Sequence, residues 1–155
     1  MNDHYTFLKI DPNTYRGEYD AYFQRASEYI TNVIMLTNSL ILILITCFIE
    51  LGIGLPKDSM VGTFIRIIRD NKKSHPKLSK LLHLLHNVNK IVNQTKHSLI
   101  GINENPNETG IIFWDLKEKK MQTLTHTDIK ANLATMSKAI KMASEILKSV
   151  QEDHS

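Results

Sequence analysis

The chain has 155 residues, which suits one domain with a hydrophobic core of its own. Apolar residues make up 42% and charged residues 23%, so a disordered chain is excluded. The net charge of +3 permits an anionic partner without requiring one. The single cysteine, Cys47, excludes an internal disulfide and is expected to be an inert core residue. We therefore expect one ordered, cytoplasmic domain over residues 1–155.

The first predicted helix is long. Residues 11–13 (DPN) have the turn chemistry that starts a helix, and the Gly/Pro-rich residues 52–56 (GIGLP) end it. The sequence predicts one helix up to about Leu51, or two helices with a break at residues 37–39 (TNS).

The most apolar part of the chain lies within this helix. Tyr29–Ile49 contains 21 residues without a charge, which is long enough to span a bilayer. Six of these residues are polar, however, and the most apolar stretches are only Leu40–Ile45 and Cys47–Ile49. Short runs of this kind favour a helix buried in a domain or an interface, so a membrane span is not expected.

Two helices are predicted in the middle of the chain. The first, capped by Asp58 or Ser59, is expected to end near Asn71. Its apolar residues are Met60, Phe64, Ile67 and Ile68. The second begins near Pro76, because a proline disfavours helical geometry at His75. Its apolar residues follow the three-four spacing of one buried face: Leu78, Leu81, Leu82, Leu85, Val88, Val92 and Leu99.

The last third of the chain predicts a loop, a hairpin and a final helix. Residues 103–110 are loop-forming, and Ile111–Leu116 and Met121–Thr125 are β-rich runs on either side of a polar turn. Thr125 and Asp128 have the spacing of a capping box, with aspartate in place of the usual glutamate. The helix that follows has apolar residues in regular alternation: Ile129, Leu133, Met136, Ile140, Ala143, Leu147 and Val150.

These elements predict an all-α, or mainly α, protein. The expected architecture is an antiparallel bundle of four or five helices with a small β-hairpin before the last helix.

One polar stretch interrupts the predicted helix that begins at Pro76. His86, Lys90, Asn93 and His97 follow four-three-four spacing and so lie along one line of the helix. At 100° per residue, Asn89 and Lys96 project within about 40° of the arc set by Leu78 and Leu82. Asn93 lies beside them, and His86, Lys90 and His97 form the adjoining strip. Polar groups at the margin of a buried face need partners, water or a ligand. The sequence therefore predicts a recessed site here.

The residue types suggest roles in that site. Lys90 and Lys96, with His86 beside them, would hold an anionic group, Asn93 would orient it, and His97 would transfer a proton near neutral pH. Alternatively, the helix emerges from the bundle at this point and all these groups are solvated.

Other constellations are less informative. His83 and His86 have no carboxylate at matching spacing, so we predict no metal and no cofactor. Trp114 beside Phe113 could stack on a base, although one of the pair is expected to anchor the hairpin to the core. The lysines of residues 117–120 would form a solvated turn or extend a basic surface.

A helix with a polar, basic and histidine-containing end, followed by a loop, a strand pair and a capped final helix, resembles the HEPN superfamily. The resemblance implies a helical bundle that acts on RNA without a metal. Its motif is an arginine, usually followed by a polar residue, and a histidine a few positions later. It also implies a homodimer in which two motifs form one cleft.

Two stretches are similar to this motif. Arg69–His75 (RDNKKSH) has the residue types and the spacing, but Pro76 places it in a connection between helices. Lys90–His97 (KIVNQTKH) lies where the family's topology places the motif, although Lys90 replaces the arginine. Lysine cannot reproduce the bidentate contact of a guanidinium with phosphate, which favours a binding-only relative. We take Lys90, Asn93 and His97 as the preferred site and Arg69 with His75 as the reserve.

Three functions follow as hypotheses. The first is a non-catalytic, HEPN-like protein of a bacterial or phage conflict system that binds a protein partner, as an antitoxin, immunity protein or inhibitor. The second is a metal-independent HEPN-type endoribonuclease, and the third is a membrane-attached helical protein. The apolar surface of the first helix is expected to close a dimer or a partner interface.

Overall fold

The computed structural model of the chain describes residues 19–101 and 110–153. Within these ranges it contains five α-helices and one three-stranded antiparallel sheet. The elements in chain order are α1 (Asp20–Leu51), α2 (Val61–Asp70), α3 (Pro76–Ser79), α4 (Leu82–Lys96), β1 (Ser98–Ile100), β2 (Ile111–Asp115), β3 (Lys120–Leu124) and α5 (His126–Asp153). The prediction of a mainly α-helical protein is confirmed, whereas the antiparallel bundle stays a prediction.

The described residues fall into two compact units. One consists of residues 19–32, 93–101 and 110–131 and contains the whole sheet. The other consists of residues 33–92 and 132–153 and contains α2 and α3. A single domain over residues 1–155 therefore stays a prediction.

α1 is one continuous helix, so the predicted break at residues 37–39 is wrong. The Thr37 hydroxyl donates a hydrogen bond to the carbonyl oxygen of Val33 at 2.6 Å, and Thr46 makes the same bond to Leu42 at 2.9 Å. Because these hydroxyls are satisfied by carbonyls one turn earlier, they sit within the helix without ending it. The predicted start at residues 11–13 lies outside the described residues.

The end of α1 is a Schellman motif. Gly52 N–H donates to Ile49 O at 3.2 Å, and Ile53 N–H donates to Phe48 O at 2.9 Å. Gly52 has a φ of +70°, a conformation that costs a residue with a Cβ about 1 kcal/mol or more. The predicted helix end is therefore confirmed.

α1 is long and apolar enough to cross a membrane by length and composition alone. Within its most apolar 18-residue window, 33% of the residues are buried in the protein. A core helix of a soluble protein passes the same test, so one such helix is weak support for a membrane span. The buried residues of α1 are Tyr22, Ala26, Tyr29, Val33, Leu40, Ile41, Leu44, Cys47 and Phe48.

α2 begins slightly later than predicted. Asp58 Oδ1 accepts a hydrogen bond from Met60 N–H at 2.9 Å, but Met60 itself precedes the helix, and it is exposed rather than buried. The buried side chains of α2 are Val61, Phe64, Ile65 and Ile68. The Phe64 ring lies 5.4 Å from that of Phe48, centroid to centroid, which ties α2 to α1. The predicted end at Asn71 is confirmed.

The single helix predicted from Pro76 onward is wrong, because α3 and α4 are separate. Lys80 N–H donates to Lys77 O, and Leu81 N–H donates to Leu78 O at 3.0 Å, so the chain makes a 3₁₀-like turn between them. Both Leu78 and Leu81 are fully buried by this turn. Further along, α4 buries Leu84, Leu85, Val88 and Ile91, whereas the predicted Leu82 and Val92 are half-buried.

The predicted hairpin is confirmed, and a third strand extends it. β2 pairs antiparallel with β3, with Ile111 opposite Leu124 and Asp115 opposite Lys120. β1 pairs with the other edge of β2, with Leu99 opposite Trp114. Leu99 is thus an exposed strand residue and not part of a helix as predicted. The predicted loop at residues 103–110 lies outside the described residues up to residue 109.

A buried tyrosine holds this sheet to α1. The Tyr22 hydroxyl donates to Gly101 O at 2.8 Å and accepts from Ile112 N–H at 3.0 Å. Burial raises the pKa of Tyr22, so the hydroxyl keeps the proton that it donates. A Cβ at Gly101 would lie 2.9 Å from Ile112 Cγ2, and therefore glycine is needed where the strands approach. Phe113, fully buried, is the predicted hairpin anchor.

α5 begins with the predicted capping box. Thr125 N–H donates to Asp128 Oδ2 at 2.9 Å, and Asp128 N–H donates to Thr125 Oγ1 at 3.1 Å. The buried residues of α5 are Met136, Ala139, Ala143, Ile146 and Val150. Four predicted core residues are only half-buried: Ile129, Leu133, Ile140 and Leu147. The buried face is therefore centred slightly away from the predicted one.

Candidate functional site

The polar line predicted on the helix after Pro76 lies on the outside of α4. His86, Lys90, Asn93, Lys96 and His97 are all exposed. The expectation that they line a recessed site is therefore wrong. They are solvated, as in the alternative interpretation of the sequence, and the chemical roles assigned to them stay predictions.

The choice of the leucines that set the predicted face explains the error. That face was counted at 100° per residue from Leu78 and Leu82, but Leu82 is only half-buried. The 3₁₀-like turn, at about 120° per residue, shifts the phase of Leu78 by about 40° more. The buried face of α4 is centred on Leu85 and Val88, which leaves the polar line opposite it.

His97 occupies the junction between α4 and β1. Its N–H donates to Asn93 O at 2.9 Å, and its carbonyl accepts from Leu116 N–H at 3.1 Å. The backbone is thus fixed on both sides while the imidazole is exposed. Such a histidine can contact a large ligand at the surface, but no recess surrounds it to exclude water.

The reserve pair, Arg69 and His75, is not brought together by any hydrogen bond within the described residues. Arg69 is exposed in the last turn of α2. His75 precedes α3, is half-buried, and donates its N–H to Asn71 O at 2.9 Å. It lines a cavity of about 190 Å³ together with Leu51, Ser74, Pro76, Lys77, Val150 and Asp153. Arg69 is not among the residues that line it.

A neighbouring cleft of about 300 Å³ is lined by Lys77, Lys80, Met142, Glu145, Ile146 and Ser149. Lys77 Nζ donates to Ser149 Oγ at 2.7 Å and forms an ion pair with Asp153 at 2.5 Å. Its charge is therefore used to attach α3 to α5. The cavity and the cleft are therefore both features of this junction between α3 and α5.

Metal and thiol chemistry find no support in the described part of the chain. No group of three or more His, Cys, Asp or Glu residues there could hold a metal ion. Cys47 is fully buried, and burial with the nearby Glu50 carboxylate raises its thiol pKa to about 11. The thiol is thus protonated and enclosed, as expected for a core residue.

Positive charge is concentrated in one stretch of the chain. Residues 59–92 carry seven Lys and Arg side chains and a single acid, Asp70. The rest of the chain carries 12 basic and 15 acidic side chains. The net charge is therefore +6 within residues 59–92 and −3 in the rest of the chain. Six of the seven cations are exposed: Arg66, Arg69, Lys72, Lys73, Lys80 and Lys90. No side chain of these six makes an ion pair or hydrogen bond within residues 19–101 and 110–153.

The cations follow the exposed faces of two helices. On α2, Gly62, Arg66 and Arg69 are spaced by four and three residues and so share one face. On α4, His83, His86 and Lys90 are spaced by three and four residues. Each helix therefore presents a stripe of nitrogen-bearing side chains on the side away from its buried leucines and isoleucines.

The two stripes meet at a contact between α2 and α4. A Cβ placed on Gly62 would lie 3.8 Å from Asn89 Nδ2, which is van der Waals distance. Arg66 is one turn after Gly62 on α2, and Asn89 lies between His86 and Lys90 on α4. Arg66 and Arg69 of α2 and His83, His86 and Lys90 of α4 are together called the basic surface below.

The sequence assigned three of these five residues to candidate sites. His86 and Lys90 were predicted as anion-binding residues, and Arg69 was held in reserve. Arg66 was missed because overall charge was considered and local charge was not. A count of charges along residues 59–92 would have found it.

The sequence matches no protein-family model, and comparisons with curated proteins and with solved structures find no match. The resemblance to the HEPN superfamily stays a prediction.

Proposed function

We propose that this chain is a non-catalytic RNA-binding protein that holds the phosphate backbone on its basic surface. The observation that carries the proposal is that exposed cations occur on both α2 and α4, two helices that approach each other at Gly62 and Asn89. The exposed cations of this stretch outnumber its acids, so they repel one another, and an anion relieves that repulsion.

The chemistry of the basic surface suits phosphate. Arg66 and Arg69 supply planar guanidinium groups that can bind phosphate through two parallel hydrogen bonds. Lys90 supplies a compact charge, and His83 and His86 add ring nitrogens. An extended, exposed and charged surface of this kind fits a polymer backbone better than a small molecule, which requires a concave pocket.

RNA is chosen among polyanions because Lys90–His97 is similar to a motif that acts on RNA. Catalysis is not proposed, since lysine stands at the arginine position and His97 is not enclosed. The HEPN affiliation and a role in a conflict system are parts of the same proposal that depend on the resemblance alone.

Matched charge variants test the proposal. Arg66→Gln with Arg69→Gln removes two charges from the basic surface, and Lys141→Gln with Lys148→Gln removes two exposed charges from α5. Binding of a labelled single-stranded RNA is measured by fluorescence anisotropy over a range of salt concentrations. The first variant should bind at least about tenfold more weakly and lower the slope of log K against log salt by about 1.4. The second should change little. Equal loss in both variants would contradict a localised surface.

The same protein preparation also tests whether the chain cleaves RNA. The protein is incubated with the RNA in the presence of a chelator, and His97→Ala serves as the control. We expect intact RNA for both proteins. Cleavage by the wild type that His97→Ala loses would show that the chain is an enzyme and would overturn the non-catalytic proposal.

The protein-partner hypothesis makes a different prediction for the basic surface. If the surface binds an acidic protein and not RNA, wild type and both charge variants will have the same weak affinity for RNA. That result would favour a protein-binding role, as antitoxin, immunity protein or inhibitor, over RNA binding.

A further inference from the structure

Histidines are concentrated in a part of the chain that contains no acid. Residues 71–103 contain six lysines and four of the seven histidines, and no Asp or Glu occurs between Asp70 and Glu104. Two of these histidines, His83 and His86, belong to the basic surface and are exposed. Histidine is the side chain that gains a positive charge between about pH 8 and pH 5. The charge of this stretch therefore depends on pH, and no carboxylate within it offsets the change.

The two imidazoles lie on the same face of α4 as Lys90. His83, His86 and Lys90 are spaced by three and four residues, and all three are exposed. At 1.5 Å per residue, His83 and Lys90 are about 10 Å apart along the helix axis. A phosphate backbone that Lys90 holds along this face therefore passes both imidazoles.

The charged groups that α2 brings toward this face are mostly cations. α2 approaches α4 at Gly62 and Asn89, and its charged side chains are Arg66, Arg69 and Asp70. On α4 itself the polar neighbour is Asn87, whose Nδ2 lies 3.5 Å from His83 Nε2. A protonated imidazole in these surroundings gains more from an external anion than from a group of α2 or α4.

The acids of the same compact unit do not neutralise these imidazoles. Within residues 33–92 and 132–153 the acids are Glu50, Asp58, Asp70, Glu145, Glu152 and Asp153. In the described part of the chain, neither His83 nor His86 forms an ion pair with any of them. Asp153 pairs with Lys77 instead, and Glu145 lines a cleft that also contains Lys77 and Lys80.

We propose that pH controls RNA binding by the basic surface, with His83 and His86 as the side chains that respond. The proposal rests on the RNA binding proposed above and adds its regulation. An imidazolium donates a charge-assisted hydrogen bond to a phosphate oxygen, which is stronger than the bond from a neutral ring. Because phosphate is bound more tightly by the protonated rings, RNA binding takes up protons and affinity rises as pH falls.

The number of charged contacts sets the size of the effect. Each phosphate that a cation neutralises on a single strand adds about 0.7 to the slope of log K against log salt. With neutral imidazoles, Arg66, Arg69 and Lys90 predict a slope near about −2, and with two imidazolium groups the slope is near about −3.5. At about 0.1 M salt, two additional contacts correspond to binding that is at least about tenfold tighter.

Matched histidine variants test the proposal. His83→Gln with His86→Gln removes both imidazoles from the basic surface, whereas His126→Gln removes an exposed imidazole from α5. The probe is a labelled oligouridylate, because uracil neither gains nor loses a proton between pH 6 and pH 8. By fluorescence anisotropy, wild type and His126→Gln should bind at least about tenfold more tightly at pH 6 than at pH 8. The double variant should change by less than about threefold and should match the wild type at pH 8.

A variant with fixed charge separates protonation from a loss of side-chain contacts. His83→Lys with His86→Lys carries both positive charges at pH 6 and at pH 8. At pH 8 it should bind about as tightly as the wild type does at pH 6, with a salt slope near about −3.5 at both pH values. Circular dichroism checks that all variants are folded at both pH values.

Three results would overturn the proposal. Equal wild-type affinity at pH 6 and pH 8, with the salt slope near about −2 at both, would exclude control by pH and leave the proposed RNA binding intact. A pH dependence that the double glutamine variant retains would assign the response to other groups, such as His75 or His97. No RNA binding at either pH would overturn the proposed function together with its regulation.

Discussion

Two exposed regions of the same unit differ completely in chemistry. The exposed apolar side chains of α1, Met35, Leu42 and Ile49, lie in a run of 21 residues without a charge and are called the apolar seam below. The basic surface of α2 and α4 lies in a stretch with seven cations and one acid. Exposed apolar side chains favour contact with another apolar surface, whereas exposed cations attract anions.

The difference teaches that the apolar contacts of α1 and polyanion binding are separable in this chain. No residue is shared between the two regions, so a change in one should leave the measurement on the other unchanged. The variants below either sharpen this separation or break it.

The largest effect is expected on the buried side of α1. Phe48 is fully buried and packs against Phe64, so Phe48→Ala should lower the free energy of unfolding by about 3–5 kcal/mol. Leu42→Ala, on the exposed side of the same helix, should cost less than about 1 kcal/mol at dilute concentration. Urea denaturation measures both. Equal costs would place the apolar seam in the core and break the comparison.

The next effect concerns pH and Cys47. Its thiol pKa is about 11 in the folded protein against 9.0 for the free group, so the unfolded chain loses this proton first as pH rises. The stability that the protonated thiol contributes is therefore complete below pH 9 and is lost up to pH 11, with about 2 kcal/mol gone at pH 10.5.

The control for this effect is Cys47→Ala, which lacks the titrating group. Denaturation of wild type and variant is compared at pH 8 and pH 10.5, and only the difference between the two pH dependences is interpreted. If the stability of wild type and Cys47→Ala depends on pH in the same way, Cys47 is not enclosed. The division of α1 into a buried and an exposed side would then be wrong.

A change outside both regions should lower stability without affecting RNA binding. Thr125→Ala removes the hydroxyl that accepts the Asp128 N–H and should cost about 1 kcal/mol in thermal unfolding. RNA affinity should be unchanged below the melting temperature. A loss of RNA affinity would mean that general stability, and not the local surface, controls the measurement.

The smallest effect is expected where α2 meets α4. A Cβ at Gly62 would meet only Asn89 Nδ2 at an ordinary distance, and alanine favours the helix, so Gly62→Ala should stabilise the protein by about 0.5 kcal/mol. The matched Gly52→Ala should destabilise it by about 1 kcal/mol, because Gly52 has a positive φ. Loss of stability in Gly62→Ala would indicate a closer contact between the two stripes than the basic surface requires.

The sequence predicted the local features well. The hairpin, the Thr125–Asp128 capping box and the glycine end of α1 each depend on residues a few positions apart, and all are confirmed. Cys47 was also correctly assigned to the core, and Phe113 is the buried member of the Phe113–Trp114 pair, of which one was expected to be buried. Such features are decided by short-range chemistry that is visible in the sequence.

The errors came from propagating a phase over a long distance. The predicted recess depended on Leu82, which is only half-buried, and on counting through the 3₁₀-like turn at Lys80 and Leu81, whereas the polar line is an exposed stripe. β1 was missed because Leu99, the middle residue of this three-residue strand, continues the helical spacing. Its pairing with β2 is non-local and leaves no periodic signal in the sequence.

The central claim is that phosphate is held by the cations of the basic surface. The direct measurement is the affinity of the wild-type protein for single-stranded RNA as a function of salt concentration. Contacts to phosphate through Arg66, Arg69 and Lys90 predict a linear fall of log K with log salt and a slope near about −2. A slope near zero, or no binding at low salt, would contradict the account.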